Sequence, residues 1–295
     1  PECAGLHDRL ADGYVERARH RFATARELPG TPEAALHVEA ARELYASAVV
    51  HLEAELLRDP DAAETWLLLG EARGALGDRQ GVLEAYERAR LTDPWLGEAS
   101  LRLAEAIVSI GGTGTSRESL ARAVDLYAAA QRVDALQERD FAQFAQLLTR
   151  LGNFEAAGEV LRAGIDKTGS ANLRALEERN NQSVEALRSR EARIATLSGR
   201  EKTYEEAYLL HLRRQYLKSS YLLQADLNEN GFHDSMWKLL AMNKEQMNQL
   251  EGFIDEYRNR EEISAQSWRS LGQQFENAGK LEAANAVFSV IPSQP

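Results

Sequence analysis

Apolar residues recur along this chain at the three-and-four spacing that keeps one face of a helix out of water. Leu6, Leu10, Tyr14, Ala18 and Phe22 lie four apart, which predicts a helix over 5–28. Leu28-Pro29-Gly30-Thr31-Pro32 is a stop and a restart, and the next helix runs to about Arg58. Both are long, and they read as a capping hairpin with a partial repeat. Leu173, Leu176, Val184, Leu187, Ile194 and Leu197 form a narrow stripe on a polar helix predicted over 171–198, which Gly199 ends. Two further long helices are predicted, over 201–229, rich in Tyr and Leu, and over 233–258. The narrow stripe fits a coiled-coil seam for a partner; the simpler reading is that it packs on its own neighbours.

Between these stretches the pattern repeats. Pro60 and Pro94 lie 34 residues apart, each closing an apolar helical run, and Leu52 and Tyr86 share the offset. Between the prolines come Trp66, Leu69, Gly70, Gly77, Val82, Tyr86 and Ala89. Leu69 and Gly70 recur 34 residues on as Leu103 and Ala104, whereas Tyr86 and Ala89 recur 41 on as Tyr127 and Ala130. The seven extra residues fall around Gly111-Gly112-Thr113-Gly114-Thr115, inside a turn, where a stacked repeat tolerates them. A third copy places Phe141, Phe144, Ala145 and Gly152 before Ala157, Leu161 and Gly164. A fourth runs Trp268, Leu271, Gly272, Phe275, Gly279, Ala284, Phe288 and Ile291.

This succession of Trp, Leu, Gly, a small residue, an aromatic, Ala and Pro resembles the tetratricopeptide repeat (TPR), with Arg73 where Tyr is usual and Val82 where Ala is usual. The resemblance implies an all-α fold, a right-handed α-solenoid of helix hairpins, with atypical long helices at the N-terminus and in the middle. Small residues (Gly70, Ala104, Ala145, Gly272) belong where paired helices come closest. Large ones (Trp66, Tyr86, Tyr127, Trp268) fill the spaces between pairs, and Tyr204 and Trp237 read as relics of degenerate repeats. The chain divides into N-terminal capping helices with a partial repeat (1–62), three repeats (63–170), long helices and degenerate repeats (171–264) and a C-terminal repeat (265–295). The last repeat reaches Pro292 without a polar capping helix, which leaves two readings: a second subunit covers it, or the native chain continues.

Charge narrows the partner. The net charge of −11 is uneven: residues 1–170 carry 19 basic and 28 acidic side chains. That disfavours nucleic acid, which needs a basic face, and suits a basic or amphipathic protein segment. No apolar run approaches the roughly 18 residues of a membrane span. The single cysteine, Cys3, cannot form a disulfide within the chain, and it has no evident base to make it catalytic.

Candidate chemistry is thin. Asp226, Asn228, Asn230 and Gly231 match the opening of a calcium loop, with Asp234 at the ninth position, but Trp237 stands where the bidentate Glu belongs. Gly111–Ser116 lacks the Lys and preceding strand of a phosphate loop, and reads as a turn capped by Ser116. The histidines at 7, 20, 37, 51, 211 and 233 show no metal-ligand spacing in sequence. Arg188, Arg190 and Arg193 read as a solvated helix face. No catalytic residue, cofactor site or metal site is predicted.

The resemblance also implies a groove lined by the first helix of each repeat. Its second, fifth and ninth positions are Glu64, Leu67 and Glu71; Glu98, Leu101 and Glu105; Arg139, Ala142 and Gln146; and Gln266, Arg269 and Gln273. Carboxylates around leucines suit a Lys- or Arg-bearing segment. They do not suit the carboxylate-ended chaperone tails that some such domains hold. The leading expectation is a non-enzymatic scaffold or assembly factor of a multi-protein complex, at a bacterial cell envelope and tethered through sequence outside this chain. The alternatives are a cytoplasmic adaptor or regulator, and a helical-repeat ligand carrier or enzyme.

Overall fold

The computed structural model describes residues 6–291; Cys3 and Pro292 lie outside the described residues. Among the described residues the fold is all α, with fifteen helices. They are α1 (Leu6–Glu27), α2 (Pro32–Leu56), α3 (Ala63–Leu76), α4 (Arg79–Thr92), α5 (Gly97–Gly111), α6 (Arg117–Arg132), α7 (Glu138–Leu151), α8 (Phe154–Thr168), α9 (Ala171–Ile194), α10 (Gly199–Leu212), α11 (Tyr216–Asn230), α12 (Asp234–Gln246), α13 (Leu250–Tyr257), α14 (Ala265–Asn277) and α15 (Leu281–Phe288). They divide between two compact units. The first holds residues 6–147 and 160–173, the second 148–159 and 174–291.

In the first unit each helix packs on the next, α1 on α2, α2 on α3, and so on to α6. This serial packing is the mark of a helical-repeat fold. The leading pair meets through alanines. Ala11, Ala18 and Ala25 on α1 and Ala41 and Ala48 on α2 are buried, with Val15, Tyr45 and Leu52 between them. The face expected from Leu6, Leu10, Tyr14, Ala18 and Phe22 is therefore displaced: Leu10 is exposed, and Tyr14 and Phe22 are half-buried. Small side chains let two long helices approach closely, so the contact follows the alanines rather than the largest residues.

The insertion in the second full repeat is mostly helix. One residue extends α5, three lengthen the turn before α6, and three lengthen the start of α6. The Ser116 hydroxyl accepts from the Ser119 amide at 3.1 Å and caps α6 as expected. In the third repeat, a Cβ on Gly164 would come within 2.7 Å of the Phe141 ring.

The second unit contains one long helix, α9, and three hairpins, α10/α11, α12/α13 and α14/α15. The stripe on α9 packs within the fold: Val184, Leu187 and Ile194 are buried. Of its basic run, Arg188 and Arg193 are exposed as expected, whereas Arg190 is half-buried. Arg190 pairs with the buried Glu205 of α10 and lies over the Tyr208 ring, and Arg193 reaches both Glu201 and Glu205. The continuous helices expected over 201–229 and 233–258 are each broken into a hairpin. The turns hold Arg214 (φ 56°) and Asn248 (φ 56°), side chains in the left-handed region where glycine is the usual signal. Trp237 is fully buried and packs edge-on against Trp268 at 4.8 Å, and Tyr204 packs on the same core.

The run that matches the opening of a calcium loop is helical. Asp226, Asn228 and Asn230 lie within α11, and Asp226 binds the Arg200 guanidinium at 2.6 Å. A helix cannot wrap its own successive side chains around one ion as the loop does.

Candidate interaction groove

Side chains of α1, α3, α4 and α5 enclose an open groove of about 1010 Å³ in the first unit. Glu64, Leu67 and Glu71 of α3, Glu98 and Glu105 of α5, and Tyr86 of α4 line it. Arg19 and Arg102 do so as well. Five of the expected positions thus converge. Leu101 is half-buried on α5 and outside the lining; Arg139 and Gln146 are exposed on α7, also outside it.

Most carboxylates here are already partnered. Both Glu71 oxygens accept from Arg19, Nε at 2.7 Å and Nη2 at 2.5 Å, and the Tyr45 hydroxyl donates to the same carboxylate at 2.9 Å. Burial raises the Glu71 pKa, but these donors outweigh it and hold the carboxyl below its ordinary value. Arg102 is gripped from both sides by Glu98 and Glu105, each 3.2 Å away. The ordinary arginine pKa rises there: burial opposes the charge, and the two carboxylates more than compensate. No partner for the Glu64 carboxylate is found among the described residues. The groove is therefore acidic, but less so than its carboxylate count suggests.

Tyr86 forms part of the floor. It is 8% exposed, and burial pushes its pKa up to about 12. Its hydroxyl finds no hydrogen-bond partner among the described residues. Its position is set by Gly70 opposite, where a Cβ would come within 2.4 Å of the ring. The same close approach recurs between Gly272 and Phe288, at 2.2 Å.

The repeated hairpin resembles the tetratricopeptide repeat.

Two of the hairpins, α3/α4 and α14/α15, set a glycine of the first helix under an aromatic of the second. No family model and no curated protein matches the chain. Among solved structures it is similar to the TPR domain of P58(IPK), at 12% identity and a TM-score of 0.44 over 99% of this chain and 93% of that one. A TPR protein from Parabacteroides merdae is 13% identical, with a TM-score of 0.39 over 93% and 91%. PilF of Pseudomonas aeruginosa is 13% identical, with a TM-score of 0.38 over 95% and 98%.

Sequence spacing pointed to the α3 and α5 positions of this groove and missed three others. Arg19 lies on α1, 52 residues before Glu71, so no local pattern could pair them. Tyr86 is read as packing, because its register is that of the repeat and only the open space beside it adds a second role. Arg102 carries no signal beyond its spacing to Glu98 and Glu105.

Proposed function

We propose that the chain is a non-enzymatic protein-interaction scaffold, and that the groove of its first unit receives a Lys- or Arg-bearing amphipathic segment of another protein. The groove carries the reading. It offers an apolar strip at Leu67, an unengaged tyrosine hydroxyl at Tyr86, and more carboxylates than guanidinium groups around them. A cationic segment gains charge complementarity at Glu64, Glu98 and Glu105, and the hydroxyl of Tyr86 can meet its backbone. Two compact repeat units in one chain give surfaces for more than one partner, which supports service to a multi-protein assembly. We place that assembly at a bacterial cell envelope; recovery of the native protein only from the cytosolic fraction would remove this placement.

The test is selection of binding peptides from a random display library. Peptides held in the groove will carry Lys or Arg beside apolar residues. They will lose about tenfold or more in affinity for a Glu64→Lys, Glu98→Lys variant whose helical circular dichroism is unchanged. Peptides without cationic residues, or binding indifferent to the double change, refute the assignment.

A further inference from the structure

His7 on α1 and His51 on α2 are 44 residues apart in sequence, yet their Nδ1 atoms lie 2.9 Å apart. The ring planes are tilted by 44°, with centroids 5.2 Å apart. Tyr14 stacks on His51 at 5.6 Å and 8°, and Arg17 lies over Tyr14, so one ring is fixed in place. We propose that this pair is a two-histidine binding site for a divalent late transition metal, clamping α1 to α2.

Imidazole nitrogen suits zinc(II), copper(II) and nickel(II), and a small tilt of the rings brings both Nδ1 atoms within bonding reach of one such ion. In the metal-free pair one Nδ1–H donates to the other Nδ1. On binding, that proton moves to Nε2 of its own ring, both Nδ1 lone pairs turn onto the metal, and no net proton is released. Each ring must tilt off the line joining the nitrogens, a rotation about side-chain bonds. No group of three or more His, Cys, Asp or Glu is gathered among the described residues. Water completes the coordination, and the site is an inter-helix clip, separate from the groove. Because α1 also supplies Arg19, a metal that fixes α1 on α2 fixes one wall of the groove as well.

The experiment titrates nickel(II) chloride into the tag-free chain carrying Cys3→Ser, so that the thiol does not contribute. A saturable rise in Tm with one nickel per chain is expected. It should be abolished in His7→Gln and in His51→Gln, and kept in His20→Gln. Should either glutamine variant fail to fold, zinc-titrated NMR of the His7/His51 chain decides: two histidine ring signals should shift together at one equivalent. The absence of a saturable Tm rise, its survival in a folded glutamine variant, or its loss in His20→Gln overturns the site. So does a zinc titration in which other histidine signals move instead.

Discussion

The hairpins α3/α4 and α10/α11 have the same architecture and are sealed by different chemistry. In α3/α4 the second helix lays Tyr86 on a bare glycine, Gly70, and the turn runs through Gly77 at φ 84°. In α10/α11 no aromatic-on-glycine contact seals the pair. The Ser219 hydroxyl donates to the Ala207 carbonyl at 2.7 Å and accepts from the Asn243 amide at 2.8 Å. The Asn243 carbonyl oxygen lies 2.7 Å from His211 Nδ1. That turn carries Arg214 where α3/α4 has glycine. One pairing is enforced by shape, the other by a buried polar chain that α12 helps to complete. A shape constraint fails when volume is added; a polar chain fails when one link is removed or its protonation changes.

The largest expected effect tests the shape side. Gly70→Val places branched carbons where a single Cβ already falls 2.4 Å from the Tyr86 ring, so the ring must leave its packed position. A loss of about 3 kcal/mol is expected in urea unfolding. Gly70→Val with Tyr86→Leu should recover part of it. A single variant as stable as the parent would show that the hairpin closes by other contacts.

The polar side is broken by acid. Burial holds the His211 pKa below its ordinary 6.5; the bond to Asn243 opposes this, and the nearby Lys280 and Arg214 charges reinforce it. The folded chain thus prefers neutral His211, and the unfolded chain takes up the proton first. This contribution to stability is complete above about pH 6.5 and is lost as pH falls through the folded value. Replacing His211 by Gln should flatten the acid limb of the stability profile in that window. A profile unchanged by the substitution would remove His211 from the acid response.

The same contrast explains what the sequence disclosed. The near-consensus repeats were legible because glycine marks their turns and close approaches: Gly70, Gly77, Gly272 and Gly279 each sit where a side chain would clash or a positive φ is needed. The breaks within 201–229 and 233–258 were hidden because Arg214 and Asn248 hold left-handed turns without that mark. An apolar pattern running through both helices of a hairpin reads as one helix when nothing punctuates it. Groove positions on α3 and α5 followed from repeat register. The Arg19–Glu71 bond and the His7–His51 contact did not, since each joins helices across more than forty residues through fold geometry alone.

The smallest expected effect is the sharpest test of that explanation. A non-glycine residue in the left-handed region costs about 1 kcal/mol, and glycine there relieves it while adding nearly as much freedom to the unfolded chain. Arg214→Gly and Asn248→Gly should each change unfolding stability by less than about 1 kcal/mol, with arginine gaining more than asparagine, which tolerates this backbone better. In the other direction, a Cβ at Gly77 meets nothing within 4 Å, so Gly77→Asn should cost no more than the backbone term. If all three stay within that range, turn identity is a weak constraint that packing on either side overrides, and a repeat can lose its glycine without losing its hairpin. A loss of several kcal/mol in Arg214→Gly would mean instead that the arginine side chain itself holds the α10/α11 turn closed.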